Sequence, residues 1–332
     1  MSNNRLSSEC LKLDFAKETH HIGAMVTEVV LRRFRKKGVV VGLSGGIDSS
    51  VVAALCVRAM GKERVFGLLM PERDSADDTL NLSRGLAEHL GIGYLHENIS
   101  TILDAVGCYR RRDEAIRQVV PEFGPGWKSK IVLPSLTDTR RYRLFAIVVQ
   151  APNGTRSEHR LDLASYLGIV AASNFKQRTR KMLEYYHADR LNFAVAGTPN
   201  RLEYDQGFFV KLGDGAADIK PIAHLYKSQV YQMADFLQLP DSIRQRAPTT
   251  DTYSLSQTQE EFYFSVPYQI MDLIMYAKNQ GYSSEETSQV VGLSVQQVER
   301  VYEDIESKRR FAQYLHSPPI LIDDFVAASQ PA

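Results

Sequence analysis

The chain has 332 residues, of which 44% are hydrophobic, and a formal net charge of +1. This length allows one large α/β domain or two smaller ones. The near-zero charge excludes the global basic field of a general nucleic-acid-binding protein. The three cysteines show neither a paired framework nor metal-ligand spacing, which favours a reducing compartment. The sequence shows no signal peptide pattern and no 18-residue apolar run. We therefore expect a soluble, cytoplasmic protein whose partners include neither membrane nor nucleic acid.

The first predicted elements are a helix and a strand. Apolar residues recur at helical spacing over residues 11–37, which end in basic residues suited to a helix C-terminus. Residues 38–43 form an apolar run of strand length, and residues 49–60 read as the next helix. The turn between this strand and this helix contains Ser44-Gly45-Gly46.

This strand–turn–helix unit predicts a phosphate site. Backbone N–H groups at a helix start bind anions, and glycines let the backbone approach them closely. Asp48 supplies a carboxylate for a cation that screens the bound charge. The other interpretation is an ordinary strand–turn–helix corner, in which the glycines serve only the turn geometry. The common nucleotide loop with its Gly-Lys-Ser/Thr motif is absent from the sequence. The candidate phosphate-binding residues are Gly42, Ser44, Gly45, Gly46, Asp48, Ser49 and Ser50.

The next elements predict the fold class. Residues 65–70 read as a second strand, residues 80–90 as a helix and residues 93–98 as a third strand. Strands that alternate with helices indicate a doubly wound parallel sheet, whose ligand lies at the carboxyl ends of the strands.

Residues 107–160 interrupt this alternation. They contain eleven Lys or Arg against five Asp or Glu, and they end in a predicted hairpin around Pro152-Asn153-Gly154. One interpretation is a solvated excursion with incidental charge. The other is a cap or subunit contact that helps to hold an anionic substrate.

Regular structure is predicted again from residue 161 onward. Residues 174–186 read as a helix and residues 190–195 as a strand that ends in a Gly-Thr turn. Residues 227–237 and 267–279 read as further helices. We predict an α/β domain over residues 1–106 and 161–250, an insertion over 107–160, and a C-terminal loop and helices over 251–332.

Several motifs together resemble those of the ammonia-dependent NAD synthetases, a family of N-type ATP pyrophosphatases. The Ser-Gly-Gly-x-Asp-Ser loop is typical of the wider superfamily. The family's further motifs are matched by Asn174, Arg178 and Arg180 on one helix, by Thr198 and Glu203 after the strand, by the run from Gly207 to Asp218, and by Lys227, Pro248 and Thr249. The resemblance covers about residues 11–106 and 161–322.

The resemblance implies a role for each matched residue. Asp48 and Glu203 would bind Mg²⁺, while Asp48, Lys211 and Lys227 would take part in catalysis. The ATP contacts would include Thr198, Lys227 and Thr249 beside the loop residues. The deamidated dinucleotide would contact Arg178, Lys211, Asp218 and Lys308.

The family chemistry adenylates the nicotinate carboxylate of deamido-NAD with ATP, releases pyrophosphate and then uses ammonia to form the amide of NAD. It relies on positioning and charge neutralisation, so no side-chain nucleophile is required. Because only about forty residues precede the loop, we expect free ammonia or a separate glutaminase as the nitrogen source. The family also implies a homodimer with the acceptor site at the subunit interface.

Four departures from the family pattern leave alternatives open. Ser307 stands where the family has histidine, Pro199-Asn200 replaces the usual Asp-His, Gln259 replaces an aspartate, and residues 107–160 are longer than usual. These departures are expected to affect the acceptor more than ATP. An alternative is therefore a paralogue that amidates another anionic carboxylate, such as a nucleotide-sugar uronate.

Residues 282–298 resemble a helix-turn-helix, with capping boxes at Ser283/Glu286 and Ser294/Gln297. The second helix offers only Arg300 as a basic residue over residues 295–305. This composition favours a helical pair that packs at a domain edge over a DNA reader. A nucleotide-binding regulator is the non-enzyme alternative.

Overall fold

The central element is a four-stranded parallel sheet. The computed structural model describes residues 6–76, 78–132, 145–246, 252–258, 263–264 and 266–322. The strands of this sheet are β1 (Val39–Gly42), β2 (Val65–Leu69), β3 (Gly93–His96) and β7 (Ala194–Val195). The strand order is β3-β2-β1-β7, which places β1 inside the sheet, between β2 and β7.

Strand β1 is buried on both faces. Val39 and Val41 pack into one hydrophobic cluster, whereas Val40 packs into another on the opposite side of the sheet. Side chains alternate across a strand, so a continuous valine run satisfies both faces of a covered parallel sheet. This explains why the strand lacks the polar alternation of a solvent-facing one.

Helices cover both faces of the sheet, which confirms the predicted doubly wound α/β fold. The first face is covered by α1 (Phe15–Thr27, continued by wider π-helical turns over Glu28–Arg33), α2 (Ile47–Met60), α3 (Thr79–Leu90) and α8 (Lys227–Phe236). The second face is covered by α4 (Ser100–Ala105), α5 (Cys108–Arg117) and α6 (Leu163–Leu191). Two short helices, α7 (Arg201–Gln206) and α9 (Asp241–Arg244), complete this part of the fold.

Helix α6 is longer than predicted, and the strand after it is shorter. The helix extends beyond residues 174–186 at both ends, and the strand expected at residue 190 begins only at Ala194. Asn192 ends the helix in the left-handed conformation, with φ of 54°. Leu191 and Phe193 flank it and pack against the same cluster. The apolar–polar–apolar order of residues 191–193 is a pattern typical of a strand, although Leu191 still belongs to the helix.

Helix α5 was not predicted within residues 107–160. Its buried residues include Cys108, Tyr109 and Ile116. Three consecutive arginines obscure this apolar face in the sequence. The third, Arg112, is itself buried, because its guanidinium contacts the carboxylate of Asp74 at 2.6 Å.

An antiparallel sheet of three strands follows α5, and we call it the accessory sheet. It contains β4 (Lys128–Val132), β5 (Ala146–Gln150) and β6 (Arg156–Arg160) in that order. Strands β5 and β6 form a hairpin at the predicted turn, where Gly154 has a φ of 88°. Ile131, Ile147 and Val149 of this sheet pack on Ile116 of α5 in a separate hydrophobic cluster.

The C-terminal helices are α10 (Tyr268–Gln280), α11 (Ser284–Val291) and α12 (Val295–His316). Both expected capping boxes are present at the starts of α11 and α12. Val298, Val301 and Ile305 of α12 are buried, and the last two pack in one cluster with Met271 and Ile274 of α10. This packing uses the apolar face of α12 inside the protein. None of the helices in the described ranges combines the length and hydrophobicity needed to cross a bilayer.

Candidate active site

A cavity of about 1000 Å³ lies at the carboxyl ends of β1, β2 and β7. This is the edge of a parallel sheet at which ligands bind in doubly wound folds. The cavity brings together most of the predicted site residues from five separate parts of the chain. Those that line it are Gly42, Ser44, Gly46, Asp48, Ser49, Arg178, Thr198, Glu203, Lys211, Lys227 and Lys308.

The turn after β1 has the geometry of an anion-binding loop. Gly45 has a φ of 70°, and Gly46 is the N-cap residue of α2. The Ser44 hydroxyl accepts a hydrogen bond from the backbone N–H of Gly46 at 3.3 Å, and the Ser49 hydroxyl donates to the Gly46 carbonyl at 3.1 Å. A Cβ atom on Gly45 would lie 2.9 Å from Cβ of Leu82. The loop therefore needs glycine both for its conformation and for space.

Three charged side chains meet beside this loop. The ammonium group of Lys227 contacts Oδ2 of Asp48 in a short ion pair. Asp48 comes from the first turn of α2, Lys227 from the first turn of α8, and Glu203 from α7. Lys227 is only 1% exposed. The fold thus uses helix starts on three elements to assemble two carboxylates around one buried cation.

The environment keeps Lys227 charged. Burial by itself would lower the pKa of Lys227, but the negative charges of Asp48 and Glu203 outweigh burial and raise this pKa above its ordinary value. A permanently charged ammonium at the cavity wall can neutralise phosphate charge. The same ammonium also balances the two carboxylates when no other cation is near.

Asn200, one of the departures from the family pattern, contacts both carboxylates beside the loop. Its amide donates to Oδ1 of Asp48 at 2.9 Å, and its side-chain oxygen accepts from the backbone N–H of Glu203 at 3.2 Å. The structure thus brings this departure next to the loop, while its expected effect on the acceptor stays a prediction. The Asn-x-x-Glu spacing is that of a capping box and could have revealed the contact with Glu203, but not the contact with Asp48.

A second group of cations, formed by Lys211, Arg178 and Lys308, also lines the cavity. The Lys211 ammonium donates to the backbone carbonyl of Tyr314 at 2.7 Å and lies 4.2 Å from the centre of its ring. Arg178 donates to the backbone carbonyl of Lys211 at 3.3 Å. Lys308 donates to the backbone carbonyl of Tyr263 at 2.5 Å and pairs with Asp304 at 2.7 Å. Helix α12 thus supplies Asp304, Lys308 and Tyr314 to the wall of this region.

Some predicted residues are not brought into the cavity. Ser50 is fully buried, and its hydroxyl donates to the carbonyl of Gly46 behind the loop. Asp218 accepts hydrogen bonds from the backbone N–H of Val195 at 2.7 Å and from the hydroxyl of Tyr185 at 3.3 Å, away from the lining. Gly45 shapes the turn without lining the cavity. Thr249 and Gln259 lie outside the described residues.

Comparison with known proteins then decides the family. The sequence model of NAD synthase matches residues 19–120 and 153–313, most of the chain. The chain belongs to the NAD synthase family. This result confirms the family and the ligase class that the motifs predicted. The part of residues 107–160 that the NAD synthase model leaves unmatched, residues 121–152, includes β4 and β5 of the accessory sheet.

Relatives in the NAD synthase family extend over nearly the whole chain. Proteins named NH(3)-dependent NAD(+) synthetase from Mesorhizobium japonicum and Rhizobium meliloti are 56% and 57% identical, over 94% and 96% of this chain and 98% and 96% of theirs. Solved structures similar in fold include an NMN synthetase from Francisella tularensis and an NH3-dependent NAD synthetase from Campylobacter jejuni. Their TM-scores are 0.64 and 0.61, with 24% identity each, over 93% and 94% of this chain and 99% and 100% of theirs.

Asp272 holds the backbone at Lys227 in this NAD synthase family member. Its two carboxylate oxygens accept hydrogen bonds from the backbone N–H groups of Lys227 and Ser228, at 3.2 and 2.7 Å, and so cap α8. Burial raises the pKa of Asp272 to about 6, because the hydrogen bonds offset only part of the desolvation. The folded protein therefore holds the proton of Asp272 more tightly than the unfolded chain does.

We predict that Asp272→Asn changes the pH dependence of stability. The raised pKa of Asp272 contributes to the free energy of unfolding of the wild type. This contribution is fully present below about pH 4 and is lost as the pH rises through about 6. The free energy of unfolding of the variant, minus that of the wild type, should rise by up to about 3 kcal/mol between those limits. Urea unfolding of both proteins across this pH range measures the difference. A difference that does not depend on pH would contradict the raised pKa.

Proposed function

We propose that the chain is an ATP-dependent ligase that converts deamido-NAD and ammonia into NAD. The observation that carries this proposal is the convergence of Asp48, Glu203 and Lys227 beside the glycine loop, in one cavity with the cations Arg178, Lys211 and Lys308. A triphosphate and a dinucleotide are both anions, and the cavity is lined by several cationic side chains. The names of the close relatives support the same reaction.

The reaction proceeds in two steps. A carboxylate oxygen of the nicotinate group attacks the α-phosphorus of ATP, the bond from that phosphorus to the bridging oxygen breaks, and pyrophosphate leaves. The lone pair of ammonia then attacks the acyl carbon, AMP leaves with the carbon–oxygen bonding pair, and nitrogen loses a proton. Both reactants of the first step are anions, so catalysis depends on positioning and on neutralising charge.

Lys227 and Lys211 supply positive charge at different positions in this scheme. Lys227 is buried beside the loop proposed to hold the phosphates, so its charge would stabilise the leaving pyrophosphate. Lys211, Arg178 and Lys308 line the same cavity, and they would bind the phosphates and the carboxylate of the acceptor. Ser44, Ser49 and Thr198 add hydroxyl donors for ATP. Asp218 accepts from the backbone N–H of Val195 in β7 and would act by holding the backbone that leads into Thr198.

Asp48 and Glu203 fit the requirements of a magnesium site. Mg²⁺ is commonly held by one or two carboxylates together with substrate phosphates. Within the described ranges, no group of three or more His, Cys, Asp or Glu side chains is placed to hold a metal ion. A site at these two carboxylates would therefore take its remaining oxygen donors from ATP and water. When bound, Mg²⁺ would neutralise part of the phosphate charge.

We also propose that the enzyme is a homodimer. Large apolar side chains are exposed along α6, including Leu167 at 53%, Met182 at 55% and Tyr186 at 59%. Clusters of exposed apolar residues commonly mark protein–protein contacts. Light scattering should give twice the chain mass, and Tyr186→Asp should shift the protein toward monomer. A wild-type monomer at micromolar concentration would reject this proposal.

A cytoplasmic location is consistent with the cysteines. The structure describes all three cysteines, Cys10, Cys56 and Cys108, and none of them is in a disulfide; Cys56 and Cys108 are buried. Proteins of oxidising compartments more often pair such residues. We propose the cytoplasm on this ground.

The decisive experiment measures pyrophosphate release from Mg-ATP and ammonium, with and without deamido-NAD. We expect release that depends on deamido-NAD and yields NAD. Release that instead requires a sugar uronate would favour the paralogue, and ATP binding without any release would favour the nucleotide-binding regulator. The relatives favour neither alternative, because they are named NH(3)-dependent NAD(+) synthetase and match this chain over almost their full length.

A further inference from the structure

The accessory sheet holds a loop against the cavity. Residues 252–258 run beside β4, where the backbone N–H of Leu255 donates to the carbonyl of Ser129 at 3.2 Å. The N–H of Ser129 donates to the hydroxyl of Ser254 at 2.9 Å. The side-chain amide of Gln257 donates to the carbonyl of Ile131 at 2.5 Å. These bonds join the loop to a strand that lies outside the part of the chain matched by the family model.

A buried ion cluster holds the start of the same loop. The ammonium group of Lys176 contacts Oε1 of Glu72 at 2.8 Å, Oδ2 of Asp74 at 2.9 Å and the backbone carbonyl of Thr252 at 2.9 Å. All three of its hydrogens therefore have acceptors. Arg112 contacts the same oxygen of Asp74 and also pairs with Asp113 at 2.7 Å, while Arg73 lies 3.6 Å from the other oxygen of Asp74. Burial opposes ionisation of Asp74, yet these cations outweigh it and lower the pKa of Asp74.

Tyr253 lies between these two attachments. It is only 5% exposed and packs in the hydrophobic cluster of the accessory sheet with Ile131 and Ile169. Thr252, Tyr253 and Ile131 also line the cavity. The attachments therefore determine where this part of the cavity wall stands.

We propose that the accessory sheet and Lys176 form a clamp that positions residues 252–257 as a wall of the ATP site. Ser129, Lys176 and Gln257 are then positioning residues that act through the loop. The inference rests on the proposed ATP site at the glycine loop. Its link to ATP comes from the segment that holds Glu72 and Asp74. This segment follows β2, which pairs with the strand before the glycine loop, and its residues Pro71 and Ser75 line the same cavity.

The expected effect is on the affinity for ATP. When the clamp is weakened, a smaller fraction of molecules has the loop in its binding-competent position, and the apparent dissociation constant rises by the inverse of that fraction. At saturating ATP the loop is held by the ligand, so the turnover rate is retained. A variant with a weakened clamp should therefore have a higher KM for ATP and an unchanged kcat.

Gln257→Met tests the clamp. Methionine has a similar length but cannot donate to Ile131, and we expect the KM for ATP to rise about tenfold while kcat changes less than about twofold. The matched control is Gln296→Met at an exposed position of α12, which should leave both constants unchanged. An unchanged KM in Gln257→Met, or a fall in kcat alone, would overturn the proposal.

Ser254 provides a second test that does not depend on a fully buried residue. Ser254→Ala removes the acceptor for the N–H of Ser129 and should raise the KM for ATP severalfold, whereas Ser254→Thr keeps the hydroxyl and should restore it. Equal constants for the alanine and threonine variants would count against the clamp.

If wild-type protein fails to release pyrophosphate, the proposed function fails. If it does release pyrophosphate and the variants match it, only the clamp fails.

Discussion

Asp48→Asn is expected to lower the rate of pyrophosphate release by about a thousandfold or more. The substitution keeps the shape of the side chain and an oxygen that can accept from Asn200, but it removes the negative charge. Without that charge, the site loses one of the two carboxylates proposed for Mg²⁺ and the partner of Lys227. The measurement is the steady-state rate with Mg-ATP, ammonium and deamido-NAD at saturation.

The control for Asp48 is an aspartate on the same type of element without contact to the site. Asp104 of α4 is exposed, and Asp104→Asn should retain wild-type activity. Circular dichroism of the Asp48 variant should match that of the wild type, because the substitution leaves the packing of α2 intact. A fully active, folded Asp48→Asn protein would remove this carboxylate from the mechanism.

Much of the fold follows from local patterns in the sequence. The valine run before the Ser-Gly-Gly turn and the later apolar runs predict strands, and the glycine and capping signals predict helix ends. Helix α5 could not be found in this way. Arg112 is buried through an ion pair with Asp74, thirty-eight residues away. Hydrophobic periodicity does not detect a buried charge whose partner is distant in sequence.

The site was less predictable than the fold. Single residues such as Glu203 and Lys227 became candidates only through the joint spacing of several motifs. The sequence could not show that Asn200 contacts Asp48, because this contact forms when α7 and α2 meet at the sheet edge. Such details depend on tertiary packing and not on local spacing.

The accessory sheet had two possible interpretations from sequence. Its basic residues suggested either a solvated excursion or a cap that holds an anionic substrate. Among the described residues of 107–160, those that reach the cavity are apolar: Ile131 and Phe145, the latter stacked on Tyr166 with ring centres 3.7 Å apart. The arginines at the two ends of β6 are exposed. The sheet is therefore better suited to hold a wall in place than to bind an anion with its basic side chains.

Lys227→Met is expected both to destabilise the free protein and to slow catalysis. Removing the ammonium leaves Asp48 and Glu203 close together at a largely buried position without their cation. Breaking one side of such a pair should lower the free energy of unfolding by about 3 kcal/mol. Urea unfolding without divalent cations measures this loss. Lys17→Met, at an exposed position of α1, is the matched control and should have a negligible effect.

Magnesium should restore part of the stability of Lys227→Met. In the wild type the ammonium already neutralises Asp48, so added Mg²⁺ competes with an existing ion pair. In the variant the two carboxylates are unopposed, and binding of Mg²⁺ to the folded state alone stabilises it in proportion to the logarithm of the cation concentration. We therefore expect a larger increase in unfolding free energy on addition of Mg²⁺ for the variant than for the wild type. Equal increases in the two proteins would place the cation elsewhere. A variant as stable as the wild type without Mg²⁺ would show that the ion pair is not required for the fold, which would leave Lys227 a role toward ATP only.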